Sequence, residues 1–162
     1  MRISKIKDND VANGLGISMS VWTQGCPHHC KGCFNMGTWS YDSGREFTDN
    51  DLDYIIKNIN KHNVERNLSI LGGEPLCPEN VAGVINLCKT IREIYPSKKI
   101  YLWTGYTFEE FNSEQKEVLK YVDIIVDGKF EIDKKDLSLL IRGSSNQRII
   151  NISEKNCDIY KG

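Results

Sequence analysis

Apolar runs of strand length alternate with helical stripes through most of this 162-residue chain, and few architectures accept that pattern. Ile17, Met19 and Val21 alternate with Ser18, Ser20 and Trp22, the period of a half-buried strand. Thr48 opens a helix with Asp49 and Asp51 in its first turn, and Leu52, Ile55, Ile56 and Ile59 share one face. Strand character returns over residues 67–71. A second helix follows from about Pro78, striped by Val81, Val84, Ile85, Cys88 and Ile91. Further strands are read over 99–104, 122–126 and 148–152, and Thr107 with Glu110 makes a capping box ahead of a third helix. Strand–helix–strand units cross over right-handed and build a mostly parallel sheet. A closed eight-stranded barrel needs about 250 residues. The expectation is therefore a single α/β domain over residues 1–162, a partial, open-sided (β/α) TIM-like barrel.

In such sheets the C-terminal ends of the strands carry the chemistry. Cys26-Pro27-His28-His29-Cys30-Lys31-Gly32-Cys33 follows the first strand, and Gly72-Gly73-Glu74-Pro75 follows the second. Gly105-Tyr106 follows the third and Asp127-Gly128 the fourth. Thiols spaced as Cys26, Cys30 and Cys33 suit metal, because a disulfide between any two closes a small, strained loop. Three thiolates fall one short of a closed structural zinc site, while an iron–sulfur cube held by three keeps one iron open. By themselves the thiols leave zinc and iron–sulfur both open. His28 and His29 read as exposed loop residues. Cys88 reads as a core residue on its helix stripe, Cys157 as part of a frayed C-terminus, and Cys77 as a weak candidate for a fourth ligand. Gly72-Gly73-Glu74-Pro75 is either a plain strand-to-helix turn or a ligand loop. In the second case the glycines admit a ligand to the backbone, and carbonyls with the Glu74 carboxylate accept from an ammonium group.

Composition narrows the classes. The chain is 40% apolar and 27% charged with a net charge of −1, so it offers no basic field for nucleic acid. No apolar run approaches the roughly 20 residues that span a membrane, and the polar start Met1-Arg2-Ile3-Ser4-Lys5 does not read as a signal peptide. Six Cys without such a signal suggest a reducing compartment, and a cytoplasmic protein is expected.

Cys-x3-Cys-x2-Cys after one strand and Gly-Gly-Glu-Pro after the next resembles the radical S-adenosylmethionine superfamily. More narrowly, Thr23 to Asn35 with Thr38-Trp39 is similar to the activating proteins of anaerobic ribonucleotide reductase. So are Trp103-Thr104-Gly105-Tyr106, Val126 to Phe130 and Arg142 to Arg148. The likeness covers nearly the whole chain. It implies that Cys26, Cys30 and Cys33 hold a 4Fe–4S cluster whose open iron takes the amine and carboxylate of S-adenosylmethionine. Gly72, Gly73 and Glu74 would hold the methionine amine, and Gly32, Cys33 and Phe34 the adenosyl side. Gly32 stands where many superfamily members place an aromatic residue, which gives the adenine contact to Phe34. The implied reaction is reductive cleavage to methionine and a 5′-deoxyadenosyl radical, ending as a glycyl radical on the reductase. Its implied partners are that reductase and a low-potential electron donor such as a flavodoxin, and no residue beyond the cluster and cofactor need be catalytic. The rivals are a small radical S-adenosylmethionine enzyme acting on a small molecule, such as a deazapurine-forming one, and a zinc-stabilised binding module. With no segment left to act as a lid, the protein substrate is expected to cover the site.

Overall fold

The computed structural model describes residues 1–152. Its strands are β1 (Arg2–Asp10), β2 (Ser18–Thr23), β3 (Arg45–Glu46), β4 (Asn67–Gly72), β5 (Ile100–Trp103), β6 (Ile124–Asp127) and β7 (Arg148–Asn151). The helices are α1 (Asp49–Asn58), α2 (Val81–Ile94) and the short α3 (Ser113–Glu117). All seven strands form one open sheet in the order β3-β1-β2-β4-β5-β6-β7. β2, β4, β5 and β6 run parallel, with α1, α2 and α3 in the connections between them. β1, β3 and β7 pair antiparallel. Antiparallel additions at both ends thus make the sheet more mixed than the expected pattern.

β1 is the element that the residue pattern hides. Its sequence RISKIKDND is largely polar, and only Ile3 and Asp10 are buried. Charged side chains along a strand near the sheet's end also discourage pairing with other molecules. The region expected to cap a third helix, Thr107 to Glu110, is a single 3-10 turn, and α3 starts later behind its own cap, Asn112.

Period-two alternation divides the sheet's faces. Met19, Val21, Leu68, Ile70, Ile100, Leu102 and Ile125 join Ile55, Ile59, Val84, Leu87 and Ile91 in one core under the helices. Trp22, Leu71 and Trp103, pointing the other way, line a cavity on the opposite face. α1 is secured at its start by Asp51, which accepts from the Thr48 amide at 2.9 Å and from both Arg45 terminal nitrogens at 2.7 Å. The Arg45 guanidinium holds the Asp51 carboxyl down at about 2.

Candidate functional site

The loops after β2, β4, β5 and β6 converge as expected on one cavity of about 470 Å³. Cys26, Cys30 and Cys33 all line it, together with Gly72, Gly73, Glu74, Thr104, Gly105 and Gly128. All three thiols are free. Burial pushes the Cys26 thiol up to about 11 and raises that of Cys30, so binding metal there must displace protons.

Backbone contacts shape the cysteine loop. The Gly25 amide donates to the Thr38 carbonyl at 2.8 Å and the Cys26 amide to Trp39 at 3.0 Å. The Cys33 amide donates back to Cys30 at 3.1 Å, and the Asn35 amide reaches the Cys33 sulfur at 3.3 Å. Gly25 has φ 92°, and a β-carbon on it would overlap the Tyr41 ring. Gly73 lies against this same loop. A side chain there would strike the Gly25 carbonyl and come within 3.0 Å of the Thr38 carbonyl. Its bareness serves loop-to-loop packing, which the sequence alone did not suggest.

Glu74 is fully buried. Its Oε1 accepts from the Leu76 amide at 2.9 Å and the Thr104 hydroxyl at 2.7 Å, and its Oε2 accepts from the Gly105 amide at 2.7 Å. His28 Nε2 lies 2.8 Å from Oε2, which places the imidazole hydrogen on Nε2. His28 is therefore no exposed loop residue: its side chain is 6% exposed and its ring packs edge-on to Tyr106. His29 is exposed as expected and stacks on Trp39.

Phe34 lines the cavity beside the Phe130 ring, 5.1 Å away between centroids. Gly32 does not line it. Its φ is 73°, and a β-carbon would sit 2.7 Å from Ile132. Cys77 and Cys88 are buried away from the cavity, and burial pushes each thiol up to about 12. Cys157 lies outside the described residues.

The connection from β6 to β7 supplies the far wall, through Phe130, Leu137, Leu139, Ile141, Arg142, Gly143 and Gln147. This connection is a wall of the cavity that the residue pattern did not indicate. Trp103 Nε1 donates to the Ile141 carbonyl at 2.7 Å and holds Ile141 at φ 52°, an uncommon conformation for a β-branched residue. Arg142 donates to the Gln147 carbonyl at 2.8 Å, while the Gln147 amide oxygen accepts from the Gly143 amide at 2.9 Å. Asp127 is buried against Arg148 at 2.9 Å and accepts from the Phe108 amide at 2.7 Å, a structural engagement.

Among the described residues, no three His, Cys, Asp or Glu side chains converge tightly enough to hold one metal ion. A cube spreads its thiolates over separate irons, and three free thiols on one roomy cavity suit it. No helix of the described residues is long and apolar enough to cross a membrane.

A family model described as a 4Fe-4S single cluster domain matches residues 12–150. The anaerobic ribonucleoside-triphosphate reductase-activating protein of Escherichia coli K12 is 43% identical over 139 residues, covering 85% of this chain and 90% of the relative. Its namesake from Vibrio cholerae is 42% identical over 141 residues, 86% of this chain and 91% of the relative. The one from Enterobacteria phage T4 is 39% identical over 149 residues, 92% and 93% of the two lengths. With the cysteine loop, the Gly-Gly-Glu turn and this agreement along the chain together, the protein belongs to the family of anaerobic ribonucleoside-triphosphate reductase-activating proteins.

Proposed function

We propose that this chain activates an anaerobic ribonucleoside-triphosphate reductase, using a 4Fe–4S cluster held by Cys26, Cys30 and Cys33 and S-adenosylmethionine bound beside it. The observation that carries the reading is a single cavity onto which the three thiols and the Gly72-Gly73-Glu74 loop both open. Its volume of about 470 Å³ lies within the range of small-ligand and cofactor sites. The same proposal treats β2, β4, β5 and β6 with their connecting helices as one side of a (β/α) barrel left open. The strand order, with its separate ends at β3 and β7, supports that view.

When bound, the cluster and cofactor supply one-electron reductive cleavage of the sulfonium; the electron comes from a low-potential donor such as a flavodoxin. The protein's part is to bind and orient. Backbone carbonyls around Gly72 and Gly73 would hold the methionine amine, since the Glu74 oxygens already accept four internal bonds. Trp22, Trp103, Phe34 and Phe130 line the cavity and would give the adenosyl end apolar, aromatic walls that exclude water. Phe34, Met36, Leu137 and Leu140 are each more than half exposed, and Phe34 and Leu137 also line the cavity. An apolar rim at the site's mouth suits a protein substrate better than a small polar one.

The test is anaerobic reconstitution with iron and sulfide, then reduction in the presence of S-adenosylmethionine and the reductase. The expected products are methionine, 5′-deoxyadenosine and a glycyl radical seen by electron paramagnetic resonance. Deuterium placed on that glycine should appear in the 5′-deoxyadenosine. Label transfer from a small metabolite alone, with no protein radical, would give the site to the small-molecule rival.

A further inference from the structure

Glu74 holds the cysteine loop at two points. Its amide donates to the Gly25 carbonyl at 2.7 Å, and its Oε2 accepts from His28 at 2.8 Å. Those contacts fall on either side of Cys26. The same carboxylate takes Thr104 and Gly105 from the end of β5, so three strand-end loops meet on one buried group. His28 has little freedom in this joint. Its ring meets Tyr106 at 4.7 Å between centroids, and a β-carbon on Gly105 would overlap its Cδ2 edge.

We propose that His28 is a positioning residue. By donating to Glu74 it fixes the Cys26–Cys30 span against the ends of β4 and β5, so the cluster and S-adenosylmethionine sites share one alignment. Gly72 and Gly73 directly precede Glu74, and a shift of this carboxylate carries their carbonyls with it. A carboxylate with about four acceptor positions, all engaged, acts as a structural joint rather than a ligand contact. The inference rests on the reading of the cavity as a cluster and S-adenosylmethionine site.

The experiment compares reconstituted full-length wild type with His28→Ala, His28→Gln and Gly105→Ala. Calorimetry gives the S-adenosylmethionine affinity. Electron paramagnetic resonance of the reduced cluster, with and without the cofactor, reports on how the two sites meet. A lost hydrogen bond to a buried carboxylate predicts binding weakened by about tenfold in His28→Ala, with the cofactor-induced spectral change diminished. Gly105→Ala should do the same by displacing the ring without altering it. His28→Gln places an amide N–H near the position of Nε2 and should stay within about threefold of wild type. If His28→Ala loses its fold, the Gly105→Ala and His28→Gln pair carries the comparison. Wild-type affinity and spectra in His28→Ala or Gly105→Ala, or a His28→Gln protein no better than His28→Ala, would overturn the proposal and leave the cavity's assignment standing. A wild type that loads a cluster but binds no S-adenosylmethionine would instead sink the assignment itself.

Discussion

The two walls of the cavity are built by opposite means. On the cysteine side main-chain contacts dominate, with the His28–Glu74 pair added: Gly25 meets Thr38, Cys26 meets Trp39 and Glu74 meets Gly25 through amide–carbonyl bonds of 2.7–3.0 Å. On the β6–β7 side, side chains do the holding: the Trp103 indole on Ile141, the Gln147 amide on Gly143, the Arg148 guanidinium on Asp127. The cysteine wall has little slack: a β-carbon on Gly73 would meet the Gly25 carbonyl, and one on Gly25 the Tyr41 ring. A wall held by side-chain tips bears rotamer changes and conservative replacements. The first is suited to fixing a rigid inorganic group, the second to admitting and releasing something larger.

The sharpest break comes on the cysteine side. Cys26→Ala, Cys30→Ala or Cys33→Ala is expected to abolish the 4Fe–4S absorption and the bound iron and sulfide. Cys77→Ala and Cys88→Ala should keep both, at the stability loss of a small buried group. Loss of the cluster in Cys88→Ala with the fold intact would show that the ligands had been chosen wrongly. Next comes Gly73→Val, which drives a branched side chain into the Gly25 carbonyl. It should destabilise by about 3 kcal/mol and lower iron loading together with cofactor binding. Loading and affinity at wild-type levels would mean that this wall yields after all.

A smaller effect belongs to the opposite wall. Trp103→Phe keeps the ring but removes the donor to Ile141. A loss of about 1 kcal/mol in chemical denaturation is expected, with weaker S-adenosylmethionine binding and an unchanged cluster spectrum. A changed spectrum would show that the walls are not independent. The smallest effect lies off the site, at Asp51. Its folded carboxyl titrates near 2, against an ordinary 3.8, chiefly through Arg45. A depressed carboxylate contributes stability that is fully present above about pH 4 and is lost as pH falls through about 2. With Arg45 half exposed, the contribution is discounted to about 1 kcal/mol. Asp51→Asn should flatten the stability profile between those pH values without affecting cluster loading at neutral pH. Denaturant midpoints taken from pH 5 to pH 2 check this.

Much of this was legible because local patterns carry it. Alternation in β2, the stripe of α2 and the punctuation at each strand end point to the loops that line the cavity. β1 was hidden because Lys5, Lys7 and Asp8 break the apolar alternation on which such a reading depends. The direction of β7 was equally silent, since a strand's apolar residues do not say which way its neighbour runs. The internal bonding of Glu74 is hidden for a different reason. Its partners His28 and Gly105 lie 46 and 31 residues away, so its saturation is a tertiary fact. The far wall escaped notice because Leu137, Leu139 and Ile141 fall at two-residue spacing yet form no strand.

The buried meeting of Glu74 with His28, Thr104 and Gly105 also ties the cysteine loop to distant parts of the chain. Through Glu74 the cysteine loop is braced against the end of β5, some seventy residues downstream of it. The apolar core under the helices contains Cys88 but none of Cys26, Cys30 and Cys33. A cluster here is thus expected to load a host that folds without it, unlike a zinc finger, whose chain is unfolded until the ion arrives. A molecule stripped of its iron by air is expected to survive as a receptive scaffold, and circular dichroism before and after chelation, followed by reloading, would register that recovery.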